Sequence, residues 1–235
     1  MRTKINATDL FKNVSIFRDL QDAELLELTA VVQTLRLKKD TLVFRQHDQG
    51  DSLYVVAEGR VKVTVQTEES DREMILTIFK LGDFFGEMSL IDGQPRSATI
   101  ETMEKTILLQ LRRTDFIAHL KKHPMTSLNI ITEMSARLRR SSEIIGNLGL
   151  LDVYSRLARV LIEMAKTDGV EQEDTTILIP KRPTQQDLAS MIGTSRETVS
   201  RVLSEFQRRG LLTTEGKSIL LSHGFIAEKL WDQHS

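Results

Sequence analysis

Residues 184–212 read TQQDLASMIGTSRETVSRVLSEFQRRGLL, and their pattern predicts two short helices joined by a tight turn. Thr184 and Asp187 have the spacing of a capping box, which marks the start of the first helix. Gly193 can adopt the left-handed conformation that ends this helix, and Ser195 can cap the second. The second helix places its apolar residues on one face: Val199, Val202, Leu203 and Phe206. This arrangement is typical of a helix-turn-helix unit.

The outward face of the second helix carries side chains suited to reading DNA. Arg196 and Arg201 can each match the O6 and N7 acceptors of guanine, and Glu197 can accept a hydrogen bond from cytosine N4. We expect these three residues to contact bases, and Ser195 and Thr198 to contact phosphates. The alternative is a solvated surface on which Glu197 and Arg201 form an (i, i+4) ion pair.

Charge supports contact with a polyanion at this segment. Residues 181–217 contain seven Lys or Arg and four Asp or Glu, a net charge of +3. The segments 1–124, 125–180 and 218–235 have net charges of −1, −2 and −1. A basic surplus confined to one short region indicates a focused contact with nucleic acid. The stretch GLLTTEGKSILL, residues 210–221, predicts the two-stranded wing of a winged variant.

The preceding part of the chain is rich in β-strand signals. From about residue 35 to residue 112, short runs of Val, Ile, Leu and Phe alternate with turns. The segment 60–65, RVKVTV, alternates apolar and polar residues strictly. Glycines mark the turns: Gly50, Gly59, Gly82 and Gly93. This spacing predicts a small all-β sandwich or barrel. We expect helix over 8–34, with Asp22 as an N-cap, and a short helix over 114–124.

A heptad pattern follows within residues 125–149. Its seam residues step by three and four: Ile131, Met134, Leu138, Ser141, Ile145 and Leu148. This period favours a dimer seam, whereas the alternative is an amphipathic helix packed on its own domain. Gly146 and Gly149 predict a break in the helix and a hinge. Asp152 can cap the helix that follows, and residues 169–176 read as an acidic loop.

Composition excludes several classes of protein. The chain has 235 residues, of which 40% are hydrophobic and 28% charged, as in an ordinary soluble protein. It has no cysteine, which excludes disulfides, cysteine-ligated zinc and iron–sulfur clusters. No apolar run is long enough to span a membrane, and no secretory signal is present, so we expect a cytoplasmic protein without a membrane partner. His119 and His123 could share a helix face, but the stretch HLKKH favours a solvated helix end, and we expect no metal.

Three motifs in order resemble the cyclic AMP receptor and catabolite activator superfamily of bacterial transcription regulators. They are GEMSLIDGQPRSA at 86–98, SSEIIGNLGLLDV at 141–153 and SRETVSRVL at 195–203, and the resemblance covers about residues 15–222. It implies an α+β fold with an N-terminal double-stranded β-helix, the cyclic-nucleotide-binding β-roll, a long dimerisation helix and a C-terminal winged helix-turn-helix. The expected domains are a β-roll with flanking helices at 1–124, a dimerisation helix and hinge at 125–149, and a winged helix-turn-helix domain at 150–235.

The resemblance also implies an effector site. In this family the first motif is a phosphate-binding cassette, in which Glu87 would take a ribose hydroxyl and Arg96 would pair with the cyclic phosphate. Ser141 and Ser142 match a pair that contacts adenine, one from each protomer, and Arg137 matches a position that supports the cassette glutamate. The expected effector-binding residues are Gly86, Glu87, Arg96, Ser97, Arg137, Ser141 and Ser142. The alternative for the two opposite charges of the cassette is a Glu87–Arg96 salt bridge that closes a loop.

The resemblance therefore implies a homodimeric regulator of transcription whose DNA binding is controlled by a cyclic nucleotide, with cyclic AMP favoured. Its expected partners are a pseudo-palindromic double-stranded DNA site with TGTGA-like half-sites, and RNA polymerase. Cyclic GMP, cyclic di-GMP or haem as effector, or constitutive activity, are the alternatives within this fold. A β-barrel enzyme with an accessory helix-turn-helix is the alternative from another class. We expect no enzyme, because the β segment has one histidine, His47, and no serine with a nearby base.

Overall fold

The computed structural model describes residues 7–66, 73–172 and 175–227. The chain divides into two units, and along the longest helix the boundary lies between Arg140 and Ser141. Two hydrophobic clusters form the core of the first unit, and a third cluster forms the core of the second. The predicted α+β class is confirmed.

The first unit contains eight described strands in two antiparallel sheets. They are β1 (Gln33–Leu37), β2 (Leu42–Phe44), β3 (Ser52–Glu58), β4 (Val61–Gln66), β5 (Glu73–Phe79), β6 (Phe84–Phe85), β7 (Thr99–Thr102) and β8 (Thr106–Arg112). One sheet has the order β1–β8–β3–β6 and the other β2–β7–β4–β5. The alternation predicted for β4 holds at Val61, Lys62 and Val63 but fails after them, since Thr64 is buried whereas Val65 is partly exposed. Gly59 and Gly82 have φ near +85°, a conformation that a side chain would disfavour in these turns.

Helices flank these sheets, and the one expected over residues 8–34 is divided. The described helices of this unit before the long helix are α1 (Ala7–Lys12), a 3-10 turn (Ser15–Phe17), α2 (Asp22–Ala30), α3 (Glu87–Asp92) and α4 (Arg113–Lys122). The expectation of one helix was wrong, because local hydrogen bonds end α1 and start α2 anew. Asn13 donates its side-chain amide to the carbonyl of Asp9. Gln21, rather than Asp22, is the N-cap of α2, and it forms a capping box with Glu24.

The long helix α5 (Pro124–Leu150) has 27 residues and includes both glycines that were expected to interrupt it. The predicted break at Gly146 and Gly149 was therefore wrong. A glycine inside a helix costs only about 1 kcal/mol relative to alanine, which the neighbouring helical hydrogen bonds offset. The backbone N–H of Leu151 still donates to the carbonyl of Asn147. The chain leaves the helix at Leu151 and Asp152. As predicted, Asp152 caps the next helix, since its side chain accepts from the Ser155 N–H at 2.7 Å.

The second unit is a winged helix-turn-helix, as predicted. Its described elements after α5 are α6 (Val153–Asp168), β9 (Val170–Glu171), β10 (Ile177–Ile179), α7 (Gln185–Ile192), α8 (Arg196–Arg208), β11 (Leu212–Glu215), β12 (Ser218–Leu221) and α9 (His223–Ala227). Strands β11 and β12 form the wing, and the full sheet has the order β11–β12–β10–β9. The loop expected at 169–176 contains β9, because its backbone pairs with Ile177 and Leu178.

The sequence signals of the helix-turn-helix correspond to observed contacts. Thr184 and Asp187 form the capping box at the start of α7, and Gly193 ends this helix with φ +65°. Ser195 caps α8 by accepting from the backbone N–H of Thr198 at 3.2 Å. The four predicted apolar residues of α8 are all buried: Val199, Val202, Leu203 and Phe206. The helix ends that the sequence predicted in this unit are therefore set by local contacts.

Candidate functional site

The guanidinium of Arg96 lies buried inside the first unit. Arg96 lies in the loop between α3 and β7, and it is only 4% exposed. Nη1 donates to the carbonyl of Gly86 and Nη2 to the carbonyl of Ser52, both at 2.7 Å. The backbone of Arg96 is fixed as well, because its N–H donates to Asp48 and its carbonyl accepts from His47. The arginine is therefore held by two loops that are distant in sequence.

This guanidinium is not fully satisfied by the protein. Nε of Arg96 is buried and has no hydrogen-bond partner among the described residues. One face of the guanidinium lies over the ring of Phe44, 4.2 Å from its centroid, and Tyr54 lies at 5.9 Å. Burial lowers the pKa of Arg96, although an arginine in a protein keeps its charge. The site thus contains a desolvated cation with an N–H that lacks an acceptor.

Two glycines make room for this cation. A Cβ on Gly50 would lie 2.7 Å from both Cζ and Nε of Arg96, and a Cβ on Gly86 would lie 2.6 Å from Nη1. Gly86 also has φ +85°, a left-handed conformation that suits glycine. The sequence analysis predicted Gly86 but treated Gly50 only as a turn residue. The close approach of Gly50 depends on contacts between loops about 45 residues apart, and no local pattern records it.

Glu87 is the first residue of α3 and pairs with the long helix rather than with Arg96. Its carboxylate is 3% exposed and accepts from Nη1 of Arg137 at 3.0 Å. Burial raises the pKa of Glu87, and the Arg137 guanidinium opposes this shift by favouring the charged form. The alternative of a Glu87–Arg96 salt bridge is therefore not what the structure shows. The ion pair ties the cassette to α5.

Arg137 is itself held in a fixed orientation. Nη2 donates to the carbonyl of Phe84 at 2.7 Å, and Nε lies 3.4 Å from a carboxylate oxygen of Glu133. The guanidinium carbon is 4.9 Å from the ring centroid of Phe79 and 4.5 Å from that of Phe84. A guanidinium that is both hydrogen-bonded and packed against aromatic rings loses little entropy on binding, so this contact is preorganised.

The other predicted effector residues lie at accessible positions. Ser97 is exposed, and its hydroxyl lies 3.7 Å from the sulfur of Met88. Ser141 and Ser142 are exposed on α5 and belong to the second unit, whereas Glu87 and Arg96 belong to the first. Glu87 and Arg96 thus lie in one unit, and both are next to Gly86: Glu87 follows it in sequence and Arg96 donates to its carbonyl.

The exposed face of α5 is apolar along much of its length. Several large side chains of this face are more than half exposed: Leu128 (53%), Ile131 (60%), Leu138 (69%) and Ile145 (70%). The opposite face packs on the first unit through Thr126, Asn129 and Ile130, which are buried. Met134, predicted as a seam residue, is partly buried against the core of its own unit instead. An exposed apolar stripe of this kind indicates an interface.

The second candidate surface lies on the helix-turn-helix. Arg196, Glu197 and Arg201 are exposed at the start of α8, as predicted. Together with neighbouring side chains they line an open concavity: Gln185, Arg196, Glu197, Ser200, Arg201 and Ser204. Glu197 forms no ion pair with Arg201 in the described part of the chain; hydrogen bonds from its own backbone N–H and from Ser195 lower its pKa. The two arginines are therefore available to a ligand.

The two histidines considered as a metal clamp have other partners in the structure. His119 and His123 stack with ring centroids 4.6 Å apart, but His119 bonds to Thr126 and His123 to Glu24. Within 7–66, 73–172 and 175–227, no three His, Cys, Asp or Glu side chains come together as a metal site. Among the residues that the structure covers, no helix combines the length and apolar character that crossing a bilayer requires.

Comparison with known proteins gives matches to both units. Residues 34–123 match the family model of the cyclic nucleotide-binding domain, and residues 155–223 match that of the Crp-like helix-turn-helix domain. The chain is 30% identical over 214 residues to the CRP-like cAMP-activated global transcriptional regulator of Mycobacterium tuberculosis, covering 91% of this chain and 95% of the relative. It is 32% identical over 184 residues to the cAMP-activated global transcriptional regulator CRP of Salmonella typhimurium, covering 78% and 86%. Among solved structures, the c-di-GMP responsive global regulator CLP of Xanthomonas campestris has a TM-score of 0.74 and 28% identity, covering 86% of this chain and 99% of that one.

Proposed function

Because the chain belongs to the CRP/FNR family of transcription regulators, we propose that it is a homodimeric DNA-binding regulator whose effector is cyclic AMP. The effector would bind in the first unit at the cassette between Gly86 and Ser97. The helix-turn-helix of the second unit would read a pseudo-palindromic site, and RNA polymerase would be the further partner of the DNA-bound form.

The observation that carries the effector proposal is the buried cation at Arg96. A guanidinium has more N–H donors than the two that the carbonyls of Gly86 and Ser52 accept. A buried donor without a partner costs about 1–3 kcal/mol, and such groups are rare in native proteins. A phosphate diester anion supplies both the missing acceptor and the missing countercharge. The arginine therefore fits the anionic end of a cyclic nucleotide.

Glu87 suits the opposite end of the same ligand. One of its oxygens accepts from Arg137, which leaves further acceptor positions on the carboxylate. A ribose 2′-hydroxyl can donate to these positions, whereas a ligand without a hydroxyl would leave acceptor positions of the buried carboxylate without a donor. Because Arg137 belongs to α5, an interaction of ligand with Glu87 also acts on the long helix. In this proposal Arg137 supports the glutamate through its hydrogen bond to Glu87.

Dimerisation is supported by the exposed apolar face of α5. Leu128, Ile131, Leu138 and Ile145 would bury their side chains against the same helix of a second copy, giving a coiled-coil seam. Ser141 and Ser142 follow Leu138 on this helix, so that hydroxyls from both copies would be placed near the seam. We assign these serines to the adenine base of the effector, one from each protomer.

DNA recognition is assigned to the start of α8. Arg196 and Arg201 would read guanines and Glu197 a cytosine in a TGTGA-like half-site, each pair contributing about 1–3 kcal/mol of base discrimination. Ser195 and Thr198 would contact phosphates. Effector binding would favour one arrangement of the two long helices and so place the two recognition helices in successive major grooves, about 34 Å apart.

Isothermal titration calorimetry with cyclic AMP, cyclic GMP and cyclic di-GMP tests the effector. We expect heat with cyclic AMP in wild-type protein, and none in Arg96→Ala. Cyclic di-GMP is the second candidate, because the similar structure from Xanthomonas campestris is of a regulator that responds to it. Binding of cyclic di-GMP alone, or heat with cyclic AMP that persists in Arg96→Ala, would contradict the assignment.

In vitro selection from a random DNA library tests the recognition residues. Wild-type protein should select paired TGTGA-like half-sites. Arg196→Ala and Arg201→Ala should each lose preference at a guanine while keeping the rest of the site. Ser204→Ala, which changes the same exposed face farther along α8, is the control and should select the wild-type site. Identical selected sequences for both arginine variants would refute base reading by these residues.

A further inference from the structure

A single arginine of α6 joins the end of α5 to the end of the first helix of the helix-turn-helix. Nε of Arg156 donates to the carbonyl of Ile192 at 2.9 Å, and Nη1 donates to the carbonyl of Leu151 at 2.8 Å. Ile192 is the last residue of α7, and Leu151 lies in the linker between α5 and α6. One planar group thus fixes the relative position of two backbone segments that are 41 residues apart in sequence.

Both acceptors are carbonyls that regular secondary structure leaves without a partner. The last carbonyls of a helix have no intrahelical donor, and a cation near that end also interacts favourably with the helix dipole. At the end of α7, the N–H groups of Gly193 and Thr194 both use the carbonyl of Ala189, so the carbonyl of Ile192 depends on Arg156. A guanidinium holds two acceptors in one plane, which the single ammonium group of lysine cannot do.

Two neighbouring contacts reinforce this junction. Nη1 of Arg159 donates to the side-chain oxygen of Asn147 at 2.9 Å, which ties α6 to the last turns of α5. A methyl group of Leu148 lies 3.2 Å from the point where a Cβ on Gly193 would be. The last turn of α5 therefore touches the turn that separates α7 from the recognition helix. Arg156 hydrogen-bonds both sides of the junction.

We propose that Arg156 is a positioning residue that locks the helix-turn-helix to the end of α5 and so sets the separation of the two recognition helices in the dimer. The DNA part of this proposal rests on the proposed function. Without the lock, each recognition helix would still bind its half-site. The two helices would no longer be held at one distance, and the protein would tolerate half-sites at several spacings.

The first test measures DNA affinity as the spacer between two half-sites is varied, using the site selected by wild-type protein, with and without cyclic AMP. In wild-type protein, changing the spacer by about two base pairs should weaken binding roughly 100-fold, because one half-site is then lost. Arg156→Met should reduce this penalty to about threefold or less while binding a single half-site as wild type does. Arg156→Lys should retain part of the penalty. Arg159→Met is the control, because it removes the neighbouring hydrogen bond to Asn147 of α5 and leaves Arg156 in place, and it should keep most of the wild-type penalty.

The second test needs no DNA and separates this proposal from the proposed function. Hydrogen–deuterium exchange of the free protein should show faster exchange in Arg156→Met at residues 147–152 and at 192–195 together. Arg159→Met should affect only the first segment. Wild-type exchange at both segments in Arg156→Met, or an unchanged spacer penalty, would overturn the positioning role. Should Arg156→Met fail to fold, the same two measurements on Arg156→Gln and Arg156→Lys decide the question.

Discussion

Substitution of Gly50 by alanine should weaken effector binding about 10- to 100-fold and should also destabilise the fold. A Cβ at this position would lie 2.7 Å from Cζ and Nε of Arg96 and 2.7 Å from Cβ of Ser89. The backbone of Gly50 is not left-handed, so alanine is permitted there and the perturbation is steric. The guanidinium is the end of a flexible side chain and can give way, whereas Cβ of the buried Ser89 can move only if the backbone of α3 shifts. The guanidinium would then leave its two carbonyl acceptors, each 2.7 Å away.

The size of the effect follows from the contacts that depend on this position. A hydrogen bond to a charged group contributes about 1.5–3 kcal/mol, so a displaced guanidinium that loses one such bond to the effector should bind it about 10- to 100-fold more weakly. Calorimetric titration with cyclic AMP measures this change, and urea unfolding measures stability. We expect the affinity to fall and the free energy of unfolding to decrease by about 1–3 kcal/mol, because the buried guanidinium loses its bonds to the two carbonyls.

Gln49→Ala is the matched control, because Gln49 is the exposed neighbour of Gly50 in the same loop. It should bind cyclic AMP as wild type does. Wild-type affinity in Gly50→Ala would refute the reasoning about the cradle.

Three further predictions concern stability. The backbone of His47 has φ +72°, a conformation that is costly for a residue with a side chain. His47→Gly should therefore raise the free energy of unfolding by about 1 kcal/mol, and a lower melting temperature would contradict this. A Cβ on Gly146 would meet nothing within 4 Å, so Gly146→Ala should stabilise α5 by about 0.5–1 kcal/mol. Thermal unfolding followed by circular dichroism measures this change, and equal or lower stability would contradict the prediction. Burial lowers the pKa of His119 to about 4, so the unfolded chain takes up a proton at higher pH than the folded one, and stability should fall as the pH decreases from about 6.5 to about 4. His119→Gln should lose less stability over that range in urea unfolding series, and equal losses would exclude His119 as the cause.

The sequence predicted those parts of the fold that local signals specify. The capping box at Thr184, the left-handed Gly193 and the N-cap Ser195 each define one helix end, and all three are observed. The β-rich segment and the wing were recognisable from alternation and glycine turns. The error at Gly146 arose because a glycine lowers the stability of a long helix by less than the helical hydrogen bonds around it contribute. The division of residues 8–34 was missed because hydrophobic spacing does not show where side chains compete for backbone groups.

The candidate site was predicted in its charges but not in its geometry. The resemblance implied roles for Glu87 and Arg96 and implied that Arg137 supports the glutamate, but the sequence left open whether Glu87 pairs with Arg96 instead. The pairing of Glu87 with Arg137 joins residues 50 apart, and the contact of Arg96 with Ser52 joins residues 44 apart. Such contacts depend on the register of the sheets and on the docking of α5. The sequence did not indicate a positioning role for Arg156. That role depends on hydrogen bonds to two backbone carbonyls, which any residue type could supply.

The most direct test of the central claim is a fluorescence anisotropy titration of the selected DNA site with and without cyclic AMP, in wild-type protein and in Arg96→Ala. If the buried arginine receives the effector and the signal reaches the recognition helix, cyclic AMP should strengthen DNA binding of wild-type protein about 5- to 150-fold, corresponding to roughly 1–3 kcal/mol of coupling. Arg96→Ala should bind DNA with the affinity of the effector-free wild type at every concentration of cyclic AMP. Equal DNA affinity of the wild type with and without cyclic AMP, or an undiminished response in Arg96→Ala, would contradict the account.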